Sequence, residues 1–65
     1  MKYICVGCGK EPKEIPEYVE LAKDEGHETA DEAVRHEEGT FNRENGHFWC
    51  TPDYIKAGMP LGVAP

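Results

Sequence analysis

The feature that most constrains this chain is a pair of short ligand-like turns at opposite ends of 65 residues. Cys5 and Cys8, in "YICVGCGK", have the Cys-x2-Cys spacing of a metal knuckle. Cys50, in "FWCTPDYI", begins a second turn of the same spacing, but its last position is Asp53. A chain this short buries only ~60% of its unfolded surface and is marginal without a staple such as a metal, a disulfide or a partner subunit. Three cysteines cannot all pair internally. Two close cysteines and a distant third read more naturally as metal ligands than as a disulfide framework.

Structural zinc takes four ligands in a tetrahedron, usually from cysteine and histidine. Two turns brought together from distant parts of the chain would supply two ligands each, and closing so long a loop restricts the unfolded ensemble. Cys5, Cys8 and Cys50 are the expected thiolate ligands, with Asp53 as the fourth. Carboxylates bind zinc at ~2.0–2.2 Å. The alternative role for Asp53 is to stabilise the dipole of a helix first turn. His47 is the alternative ligand. It lies three residues before Cys50, and in an extended strand those positions face opposite ways, so both could reach one ion only across a bend. His27 and His36 fall on acidic segments and read as surface residues. A redox Cys-x-x-Cys usually opens a helix, and "CVGCGKEP" is a poor helix start. No carboxylate–histidine arrangement near the site offers a general base, so no catalytic residue is expected.

Between the turns, local signals place two helices. Pro16 suits a first helical turn, and Ile15, Tyr18, Val19 and Ala22 form an apolar stripe, giving a helix over residues 16–25 that stops at Gly26. Thr29 and Glu32 have the pattern of a capping box, giving a second helix over 30–38 closed by Gly39. Its apolar face is only Ala30, Ala33 and Val34. Residues 10–14 read as a polar linker. Residues 40–50 read as a β-hairpin around Asn45-Gly46, and residues 51–57 as a short helix with Thr51 as N-cap, Pro52 first in the helix and Gly58 as stop. The expected fold is a small α+β zinc-stabilised domain, treble-clef or zinc-ribbon-like, over residues 1–58. Residues 59–65 form an irregular tail, with Met59 or Leu61 packed on the core. Phe41, Phe48, Trp49 and Tyr54 are expected to build the core beside the knuckle. If Trp49 faces outward instead, it is the candidate partner contact.

The formal net charge is −6. Nucleic-acid affinity rests on Lys and Arg neutralising phosphates, and seven scattered basic residues make a poor phosphate surface. A nucleic-acid-binding zinc finger is therefore the secondary reading. From Glu11 to Gly39 there are eleven acidic and three basic residues. Such a surface keeps a small protein soluble, and it also suits a basic protein partner. The longest apolar run, "YICV", is far short of a membrane span, and the N-terminus lacks a signal-peptide core. A cytoplasmic setting is the expectation.

"YICVGCGKEPKEIPEYVE" followed by "EEGTFNRENGHFWCTPDYIKAGMPLG" resembles a family of small bacteriophage zinc-ribbon-like proteins. That resemblance spans most of the chain. It implies ligand positions at Cys5, Cys8 and Cys50, with Asp53 standing where the family usually has its fourth cysteine. It also implies expression in an infected bacterium, and it supplies no activity. The opening knuckle is similar to that of rubredoxin, which would imply an iron redox centre, but the second knuckle "CTPDY" departs from the rubredoxin pattern.

Overall fold

The computed structural model describes residues 1–59 and Pro65. The element order is strand β1 (Ile4–Cys5), a 3-10 turn (Pro12–Glu14), helix α1 (Pro16–Glu25), helix α2 (Ala30–Glu37), strand β2 (His47–Phe48) and helix α3 (Thr51–Lys56). The architecture is α+β. A two-stranded sheet lies against a layer made by α1, α2 and the 3-10 turn, which pack on one another.

Both long helices form for local reasons. Pro16 opens α1, and Gly26 ends it in the left-handed conformation at φ 75°, where a residue without Cβ is unstrained. Thr29 caps α2, its hydroxyl accepting the Glu32 N–H at 3.1 Å. The last turn differs from expectation. α2 ends at Glu37, and Glu38 is already extended, so Gly39 does not close the helix. The segment read as a polar linker instead makes the 3-10 turn. Its Pro12 is buried, and Glu14 Oε1 accepts the Glu11 N–H at 3.1 Å.

The expected β-hairpin is corrected. Asn45-Gly46 does close a tight loop, with Asn42 N–H donating to His47 O and Gly46 N–H to Asn42 O, both at 2.8 Å. The arm before that loop is not a strand. Thr40 meets Trp49 through its side chain, Oγ1 accepting the Trp49 N–H at 2.9 Å, which takes the place of a ladder bond. β2 pairs instead with β1, in parallel, with Ile4 opposite His47 and Cys5 opposite Phe48. Gly46 permits this. Its φ is +77°, and a Cβ there would lie 2.6 Å from Lys2 O.

The core consists of Cys5, Ile15, Tyr18, Val34, Phe48 and Cys50, flanked by Tyr3, Leu21, Ala30 and Phe41. Phe48 is fully buried and meets the Tyr18 ring edge-on at 5.4 Å. Of Phe41, Phe48, Trp49 and Tyr54, Phe48 is the buried one and Phe41 packs against the same core. Phe41 pairs with Tyr3 at 4.8 Å, and Phe41, Trp49 and Tyr54 are half-buried. Trp49 is therefore neither a core residue nor a fully outward one. Met59 is exposed rather than packed on the core, and Leu61 lies outside the described residues. No helix among the described residues is long and apolar enough to cross a membrane.

Candidate metal centre

Each ligand-bearing turn is set by its own backbone. After β1 the chain turns through Val6–Cys8, with Gly9 N–H donating to Cys5 O at 2.8 Å and Cys5 N–H to Lys10 O at 2.9 Å. Gly9 takes the left-handed conformation at φ 74°. At the other end, β2 delivers Cys50, which is itself the N-cap of α3. Thr51 is already helical, so the expected Thr51 cap moves back one residue. The helix ends in a Schellman arrangement, Met59 N–H reaching Tyr54 O and Gly58 N–H reaching Ile55 O.

Because β1 and β2 are adjacent and parallel, the turns that follow them lie side by side. This brings Cys5, Cys8, Cys50 and Asp53 together, with one ligand atom from each within 4.8 Å of all the others. Cys5 Sγ is 3.5 Å from Cys50 Sγ and 3.4 Å from Asp53 Oδ2, and Cys50 Sγ is 2.9 Å from the same oxygen. Among the described residues this is the one such group of potential metal ligands. Cys5 and Cys50 are buried, Asp53 is half-buried and Cys8 is exposed. All three cysteines are free thiols.

Thiol–carboxylate contacts link the cluster, and its electrostatics follow. Burial pushes the Cys50 thiol up, and its hydrogen bond to Asp53 adds to the rise. Desolvation also raises Cys8, with the Cys5 and Asp53 side chains adding to it. The Cys50 thiol holds the Asp53 carboxyl below its ordinary range. The donor set fits a zinc-sized ion. Zn–S bonds of ~2.3 Å in a tetrahedron put thiolates ~3.8 Å apart, close to the 3.5 Å between Cys5 and Cys50. Three sulfurs and one carboxylate oxygen suit a borderline-soft cation far better than calcium or magnesium.

The histidines are elsewhere. His47, the alternative ligand, is not a member of the cluster. His27 and His36 stack on each other at 5.4 Å, and His27 Nε2 lies 3.1 Å from Glu37 Oε2.

Three contributions around the cluster had no local sequence signal. Tyr18 donates its hydroxyl toward Trp49 O at 3.3 Å and Glu38 Oε1 at 3.1 Å, tying α1 to the residue before Cys50. Glu17 accepts the Thr51 N–H at 3.1 Å and also the Thr51 hydroxyl. Gly7 passes directly over Asp53. No known protein family, curated protein or solved structure matches the chain.

Proposed function

We propose that Cys5, Cys8, Cys50 and Asp53 hold one structural zinc ion, and that the protein is a non-enzymatic zinc module of treble-clef or zinc-ribbon type. The observation that carries this reading is the meeting of three thiols and a carboxylate from two turns whose residues lie 42–48 positions apart. A small core gains from such a cross-link because it holds both chain ends at one point. Bound there, zinc would act as a structural cross-link.

The test is metal analysis of purified protein beside Asp53→Ala and His47→Ala. One zinc per chain is expected for wild type and His47→Ala, with weaker retention in Asp53→Ala. Full, tight occupancy in Asp53→Ala would remove Asp53 as a ligand, and absence of metal from reconstituted wild type would remove the site.

The module acts by contacting a protein with a basic surface, of bacterial or phage origin on the family resemblance. Supporting this is the exposure of Glu20, Asp24, Glu25, Glu28, Asp31, Glu32 and Glu37 on α1, α2 and the link between them. Complementary charge accelerates such encounters and makes them salt-sensitive. Affinity capture from a bacterial lysate, with chelator-treated protein as control, tests it. Enrichment of the same protein by wild type, lost at high salt, is the expected result. Equal recovery on both samples would sink the idea.

A further inference from the structure

Asp53 sits in the first turn of α3, yet α3 buries none of its residues. Its most enclosed residues, Asp53 and Tyr54, are half-buried. The residue before the helix is fixed by hydrogen bonds. Trp49 N–H donates to Thr40 Oγ1, Trp49 O faces the Tyr18 hydroxyl, and Cys50 N–H donates to Cys5 Sγ at 3.3 Å. These bonds pin Cys50, the residue from which α3 starts.

Glu17 adds a second anchor, at the first residue of the helix itself. It lies at the start of α1, 34 residues away, and its two carboxylate oxygens take the N–H and the hydroxyl of Thr51. The N-cap residue Cys50 makes no side-chain capping bond, because its sulfur is turned into the metal cluster. Glu17 thus supplies in trans the negative charge and acceptor that a helix start needs. It is half-exposed and touches none of the four cluster residues' ligand atoms in the described hydrogen bonds.

We propose that Glu17 is a positioning residue for the metal centre, holding α3 at the angle from which Asp53 reaches the ion. This rests on the metal reading above. It makes the fourth ligand conditional on α1, so the helical layer governs how firmly the carboxylate closes the site.

Cobalt(II) substitution reports on this directly, since thiolate charge-transfer bands count the sulfurs and ligand-field bands report the fourth ligand. Wild type, Glu17→Ala, Asp53→Ala and the double variant would be titrated, with Glu20→Ala as the exposed control on the same helix. Outer-shell partners are typically worth ~10–100-fold in metal affinity. Glu17→Ala is expected to bind cobalt about tenfold more weakly. Its ligand-field spectrum should move to that of Asp53→Ala, with the thiolate bands retained. In the Asp53→Ala background, adding Glu17→Ala should change affinity by less than about twofold, because residues acting through one another are not additive.

A Glu17→Ala protein with the wild-type spectrum and affinity overturns the proposal. So does full multiplication of the two losses in the double variant, which marks a merely structural role. If wild type itself shows no thiolate–cobalt bands, the metal reading has failed first, a distinct result. Should Glu17→Ala not fold by circular dichroism, Glu17→Gln carries the same readings, since it keeps the side-chain volume and removes the charge.

Discussion

Gly7 and Asp53 occupy adjoining space that only a glycine leaves open. A Cβ on Gly7 would stand 2.5 Å from the Asp53 Cβ, 2.7 Å from its Cγ and 2.9 Å from Oδ2. Gly7 has no left-handed backbone to explain it, so the requirement is steric. Gly9 is the converse, with φ +74° and open space around it.

The two glycines should therefore fail differently. Gly7→Ala should push Asp53 out of the cluster and weaken zinc binding by about tenfold, as loss of a supporting contact does. Gly9→Ala should cost about 1 kcal/mol of stability from left-handed strain and leave metal affinity nearly unchanged. Competition against a chromophoric chelator and urea unfolding of the loaded proteins separate the two. Equal metal affinities for Gly7→Ala and wild type would show that Asp53 does not ligate from its present position.

Replacing the carboxylate with a thiolate should complete a softer site. Asp53→Cys is expected to hold zinc about tenfold or more tightly than wild type, since thiolates favour this ion. Excess chelator should lower the melting temperature of wild type more readily than that of Asp53→Cys. A variant that loses zinc faster than wild type would mean the first turn of α3 cannot present sulfur to the ion.

Tyr18→Phe removes the hydroxyl that faces both Glu38 and the Trp49 carbonyl while retaining the ring against Phe48. The loss of a partly buried partner is expected to cost about 1–3 kcal/mol. It should appear as a lower urea midpoint at unchanged slope. No change in midpoint would show that the hydroxyl adds nothing to the link between α1 and the residue after β2.

Glu38 gives the pH dependence a defined sign. Burial raises its carboxyl above the ordinary range, although the Tyr18 and Thr40 hydrogen bonds pull it partly back, and the Glu17 carboxylate adds to the rise. The folded state thus holds this proton more tightly than the unfolded chain. Its contribution to stability is fully present below the unfolded value and is lost as pH rises through the folded one. Glu38→Gln abolishes that titration. The stability of Glu38→Gln relative to wild type should therefore increase from acidic pH toward neutrality and then level off. A difference that stays flat across this range, measured by urea unfolding, contradicts the assignment.

Much of the local structure was legible in the sequence. Pro16 and Gly26 bracket α1, Thr29 caps α2, and Gly58 terminates α3, because each signal acts on backbone groups within a few residues. The Cys-x2-Cys and Cys-x2-Asp spacings likewise identified the residues that the fold gathers. Strand geometry placed His47 behind Asp53 as the alternative ligand, and the cluster contains Asp53 and not His47.

Tertiary structure decided the rest. Asn45-Gly46 predicted a hairpin, but whether β2 pairs with its own preceding arm or with β1 depends on which edge is free. The Thr40 side chain fills the first edge, and the Lys2 backbone approaches Gly46 to claim the second. The grip of Glu17 on Thr51, the Tyr18 hydroxyl over Trp49 and the space that Gly7 leaves for Asp53 join residues 31–46 positions apart. Local signals set each turn and helix through near neighbours. The side-by-side placement of the two turns came from packing distant segments into one small core, and so did the contacts around Asp53.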